Sequence, residues 1–195
     1  MQRLLAAGFA GAVLSVTAVG AQAAEYEIDP THTFAHFEIS HLGLSHFTGR
    51  FEDIDGTVTF DAEAGTGSAD IVIDASSVST GVADLDEHLR NEDFFHVEKY
   101  PEIRFSGDDF EVSEGKIMAV TGELTLLGET KPVTLKFSNF NCIEHPMRKV
   151  PACGGNAVTR IMRSAFGMDA YVPAVGDEVK LSIEVEAFKP KEGEG

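Results

Sequence analysis

The chain has no tryptophan, two cysteines and seven prolines, and its 15 lysines and arginines are outnumbered by 32 aspartates and glutamates. Each scarcity excludes something. A net charge of −17 leaves no basic surface for nucleic acid. It also repels anionic membrane surfaces, so membrane contact is expected to be transient. No GxSxG elbow and no glycine-rich phosphate loop occurs, and no nucleophile with a positioned base can be named. An enzyme is therefore not expected, and no catalytic residue is assigned. Cys142 and Cys153 are spaced too widely for the CxxC redox signature.

The one long uncharged run is at the start. Arg3 is followed by leucine, alanine, glycine, valine and phenylalanine up to Ala21, Gln22 and Ala23. This reads as a secretory signal peptide over residues 1–23, with an uncleaved anchor as the rival. One domain over residues 24–188 is expected to follow, then a polar, glycine- and glutamate-rich tail over 189–195. In an oxidising compartment Cys142 and Cys153 are expected to pair and tie off the segment between two strands, worth about 3 kcal/mol, with a redox or metal role as the alternative.

What is abundant is alternation. Ala35, Phe37 and Ile39 alternate with polar neighbours, as do Ile54, Val58 and Phe60, then Ala69, Ile71 and Ile73, then Val179, Leu181, Ile183 and Val185. Ile103 and Phe105 follow the helix-blocking Pro101. Leu124 and Leu126, a turn at Gly128, and Val133, Leu135 and Phe137 read as an antiparallel hairpin. Only Ala83 to Leu89 is helical in pattern, with Leu85, His88 and Leu89 on one face. Strands with one dry face must close over it as a sandwich or barrel. A barrel of about eight strands encloses side chains alone or one small ligand. Small residues at Ala35, Gly49, Gly56 and Ala69, and the lack of tryptophan, favour a ligand; a filled core is the alternative.

Several motifs occur together in order: DPTHTFAHFEISHLGLSHFTGRF from Asp29, GTVTFD from Gly56, SSVSTG from Ser76, HLRNEDFFHVEKYPEIRF from His88, GELTLLGETKPVTL from Gly122 and RSAFGM from Arg163. The chain thereby resembles the YceI-like family of bacterial envelope proteins. The resemblance implies an all-β fold, an antiparallel, extended lipocalin-like β-barrel with a short capping helix. It implies a periplasmic binding or carrier protein for a polyisoprenoid lipid of the quinone or polyprenyl type, held in the lumen, with no other cofactor. Where the alternation agrees, the lining residues expected are Phe37, Ile39, Val58, Ile71, Ile73, Leu89, Phe94, Ile103, Phe105, Leu124, Leu135, Phe137 and Ile183.

The segment around Leu85, Leu89, Phe94 and Phe95 is expected to cap one barrel end, as a gate or a fixed plug, with Asp84, Asp86, Glu87, Glu92 and Asp93 facing water. His41, Arg50 and His88 are the candidates for the mouth. Rival functions are a metal-binding or stress-related envelope protein with a filled barrel, and a lipid-ester hydrolase. The histidines His32, His36, His41 and His46 invite the metal reading, but strand geometry puts His41 opposite His32 and His36, so no metal ligand is assigned. Arg163 is expected to anchor a loop through hydrogen bonds or ion pairing.

Overall fold

Our computed structural model describes residues 23–191. The expected signal segment falls almost wholly outside the described residues, as does most of the expected tail.

The strands are β1 (Ala24–Ile28), β2 (Phe34–His41), β3 (Ser45–Phe51), β4 (Ile54–Asp61), β5 (Thr66–Asp74), β6 (Val78–Ser79), β7 (Glu102–Ser113), β8 (Lys116–Leu126), β9 (Glu129–Glu144), β10 (Pro151–Met162) and β11 (Val175–Phe188); the one α-helix among the described residues, α1, is Ala83–Arg90. All eleven strands join one antiparallel sheet. β11 pairs with β10 on one side and with both β1 and β2 on the other, which closes the sheet. The strand paths number eight, because β1 and β2 follow one another along β11, and β3/β4 and β5/β6 are likewise interrupted single paths. The result is an up-and-down barrel in which each path neighbours the next in sequence and the last meets the first.

Turn chemistry sets the hairpins. Leu127–Gly128 joins β8 to β9 and Glu114–Gly115 joins β7 to β8, all four residues having φ between 51° and 78°. Two consecutive left-handed residues make the tight turn whose twist matches the flanking strands.

The interruptions lie side by side. At the β1/β2 break Asp29 Oδ1 accepts from the Thr31 amide (3.0 Å) and hydroxyl (2.7 Å), folding the chain into a compact turn. Thr33, 2 % exposed, then stands in for the missing ladder. Its hydroxyl donates to the Glu186 carbonyl and accepts from the Glu186 amide, both at 3.2 Å. Beside it, at the β3/β4 break, the Glu52 amide donates to Ser77 Oγ (3.1 Å). Next to that, Asp74 Oδ1 accepts from the Ser76 amide (2.7 Å) at the β5/β6 break. The DPTHT and SSVSTG motifs are thus the polar joints that let three adjacent strand paths bend without orphaning buried backbone groups.

Cys142 and Cys153 form a disulfide. The expectation placed them in a segment between strands; instead they face each other within the β9–β10 ladder, in register, so the bond staples a hairpin.

Candidate functional site

The barrel is hollow. A lower cavity of about 170 Å³ lies among Val58, Ile71, Phe105, Leu135, Phe137 and Ile183, and an upper one of about 560 Å³ among Phe37, Ile39, Leu89, Phe94 and Ile103. Ala35, Ile73, Leu124 and Leu181 line both, so the two meet at that level. All the expected lining residues therefore border one or other cavity, and the upper volume lies within the usual range for small-molecule sites.

Sequence reasoning missed the floor. Tyr26, Phe60, Phe110 and Phe140 line the lower cavity, with Phe60 and Phe140 edge to face at a centroid distance of 5.6 Å. Strict alternation from Phe105 turns Phe110 outward, and from Phe137 it turns Phe140 outward. A register shift between Gly107 and Asp109 reverses the parity of β7, and another opposite Asn156/Ala157 does so in β9. Each bulge inserts one residue and sends the next apolar side chain inward. Only the aromatic at the wrong parity could have signalled it.

The small residues do not all leave room. A Cβ on Gly49 would sit 2.3 Å from Phe37 Cζ, so that space belongs to the phenyl ring. On Gly56 it would meet the Asp70 carbonyl oxygen at 2.2 Å, so close strand approach requires that glycine. Ala35 and Ala69 do border the cavities.

The upper cavity's wall is completed by α1 and the chain after it. Leu85, His88, Leu89, Phe94 and Phe95 face inward. Arg90 pins this lid to the barrel by donating to the carbonyls of Ser76 (2.7 Å) and Val78 (2.9 Å). On the far side the tether is thinner: the Tyr171 hydroxyl donates to Asp93 Oδ2 at 3.2 Å, and the Tyr171 ring stacks on Phe94 with centroids 5.9 Å apart. That bond raises the Tyr171 pKa, since it favours the neutral phenol beside a carboxylate. Asp84, Glu87, Glu92 and Asp93 are exposed as expected. Asp86 is not: it is half buried, and Oδ1 accepts from the Thr80 amide (2.7 Å) and hydroxyl (2.6 Å), tying down the start of the helix.

Polar side chains of the upper cavity, His41, Ser45, His88, Arg163 and Tyr171, all come from strand ends, the helix or loops. Arg50, expected at the mouth, is elsewhere: it pairs with Glu52 at 2.6 Å and lies over the Phe34 ring at 4.8 Å, on the outer face. The alternation that turns Phe51 inward turns its neighbour outward. Arg163 is 2 % exposed and donates to the carbonyls of Met168 (3.0 Å), Ala170 (2.8 Å), Val175 (3.0 Å) and Gly176 (2.8 Å). It anchors the Tyr171 loop through backbone oxygens alone. Burial lowers its pKa, opposed by Asp177 and Asp169, and a guanidinium stays charged regardless. The Ser164 amide donates to Asp177 Oδ1 (2.9 Å) and its Oγ to Oδ2 (2.7 Å), loop-closing bonds that hold the Asp177 carboxyl below its ordinary range.

The histidines do not converge on one another, but one joins other donors. Ligand atoms of Asp29, His32 and Glu186 lie within 4.8 Å of one another. The Asp29 carboxylate is already satisfied by Thr31 and by His32 Nδ1 (2.8 Å), with Arg148 at 3.7 Å. The arrangement is that of a hydrogen-bonded turn.

The family model described as the YceI-like domain matches residues 26–187. The chain belongs to the YceI-like family. Among YceI proteins, that of Salmonella agona is 37 % identical over 187 residues, covering 94 % of this chain and 97 % of the relative. The Campylobacter jejuni YceI structure superposes with a TM-score of 0.67 at 27 % identity, over 78 % of this chain and 91 % of the other. A polyisoprenoid binding domain from Saccharophagus degradans superposes with a TM-score of 0.64 at 18 % identity, over 87 % and 100 %; that likeness speaks to the fold.

Proposed function

We propose that this YceI-like protein is a non-enzymatic periplasmic carrier that holds one polyisoprenoid lipid, of the quinone or polyprenyl type, in its lumen. The observation that carries this reading is the pair of cavities meeting at Ala35, Ile73, Leu124 and Leu181, with aliphatic and aromatic walls and polar side chains gathered toward the upper end. A long hydrocarbon fits such walls, and a polar headgroup would lie near His41, His88 and Tyr171. The polyisoprenoid binding described for the Saccharophagus domain agrees with the reading, and the disulfide suits an oxidising envelope.

Each methylene moved from water into the lumen gains about 0.8 kcal/mol. The competitor is the bilayer, where the lipid is already dry. Net preference is then set by fit and by the entropy of confining a flexible chain, which favours exchange over permanent capture.

The test is mass spectrometry of an organic extract from protein purified out of its native envelope, expected to show a prenyl lipid at about one per chain. Ala35→Trp, which fills the level where the cavities meet, should cut loading with a polyprenol at least tenfold and leave the β-sheet signal intact. A native protein free of prenyl lipid that also takes up none would end the proposal.

A further inference from the structure

Large apolar side chains cluster unprotected at the upper rim. Leu42 and Leu44, in the three-residue turn between β2 and β3, are 57 % and 83 % exposed, and Tyr171 and Val172 are 53 % and 39 % exposed. The two loops are joined: the Leu42 amide donates to the Ala174 carbonyl at 2.7 Å. Both border the upper cavity, whose wall includes His41 and Ser45 on either side of the leucine turn and Tyr171 and Val175 of the other loop. Leu42 has φ of +54°, a conformation that costs a leucine and that asparagine adopts more readily. A side chain kept there in spite of strain and water exposure has no packing role inside the barrel.

Charge distinguishes this tip from the rest of the molecule. Residues 41–47 and 167–174 carry one formal charge between them, Asp169, in a chain of which 24 % is charged. A net charge of −17 repels an anionic bilayer and gains no attraction from a neutral one, so attachment has to come from apolar burial. Two leucines, a tyrosine and a valine, with Asp169 in the loop and Asp93 at the Tyr171 hydroxyl as the nearby carboxylates, form the part that can enter the headgroup and acyl boundary with few charges to desolvate. The opposite end of the barrel also shows an exposed apolar residue, Met147 at 84 %. It is followed by Arg148 and Lys149 and does not border the upper cavity.

We infer that the Leu42–Leu44 turn and the Tyr171–Val172 loop form a docking tip that inserts into the surface of a neutral phospholipid bilayer and sets the mouth of the upper cavity against it. This deepens, and rests on, the reading of the protein as a lipid carrier: cargo passes between bilayer and lumen at this rim without crossing water.

The test compares the mature protein with the double variant L42N/L44S and with M147S/R148S. Three quantities are read: cosedimentation with phosphatidylcholine vesicles, the initial rate of radiolabelled polyprenol transfer from those vesicles, and equilibrium loading from an ethanol dispersion. L42N/L44S should lose about tenfold or more in cosedimentation and transfer rate and load normally from ethanol, because its substitutions are outside the lumen. M147S/R148S should match the unaltered protein throughout. Unchanged cosedimentation and transfer in L42N/L44S, or losses confined to M147S/R148S, would overturn the docking inference. A failure of every form to load from ethanol would instead count against the carrier reading, with cosedimentation still reporting on the tip.

Discussion

Arg163 shows how a single buried charge organises a barrel end. Its guanidinium is spread over four backbone carbonyls of the segment from Met168 to Gly176, so one side chain gathers the loop that Asp93 and the Leu42 amide tie from outside. Arg163→Met keeps the hydrocarbon volume but orphans those acceptors and should cost about 3–5 kcal/mol in urea unfolding. Asp29 and His32 set a different dependence. Burial raises the Asp29 pKa, but hydrogen bonds from Thr31 and His32 outweigh it and leave it below the ordinary 3.8. The bond to Asp29 raises that of His32 above 6.5. The stability contributed by His32 is fully present below pH 6.5 and is lost as pH rises through its raised value; that of Asp29 is present above pH 3.8 and lost on acidification below it. His32→Gln should flatten the decline in unfolding free energy on the alkaline side of pH 6.5 and shrink the acid limb without abolishing it, because the Thr31 bonds to Asp29 remain, as read by urea titrations across both ranges.

Among the elements, the β9–β10 hairpin is the one with a covalent lock. Reduction, or the double variant C142A/C153A, should lower stability by about 3 kcal/mol and speed amide exchange between Cys142 and Cys153, with little effect in β7 or β8. The element scale also shows where sequence reading succeeds and fails. Periodicity found the helix and the Leu124–Phe137 part of the β8–β9 hairpin because each keeps one period over those residues. It failed where a bulge changes parity, so Phe110 and Phe140 were missed. It failed again at Gly49, whose emptiness serves the Phe37 ring and not a ligand. Asp86 and Arg50 were misplaced because their partners, Thr80 and Phe34, are fixed by how strands and helix meet in space. The Tyr171 loop had no periodic signal, since Arg163, in the turn after β10, shapes it.

For the molecule as a whole, the acidic surface works against the compact state. Screening should relieve that repulsion, so the midpoint of thermal unfolding should rise by a few degrees between about 10 mM and about 300 mM sodium chloride. A mostly hollow interior adds to the cost, since lumen side chains lack part of the dispersion contact a packed core supplies.

The seam between the first and last strands has one more consequence. Glu27 lies opposite Phe188, so β1 and β11 enter and leave the fold as neighbours at the end away from the docking rim. A circularly permuted chain, with the start of β1 linked to the end of β11 and new termini cut at the Ala64–Gly65 turn, should therefore fold to the same barrel and load polyprenol equally well.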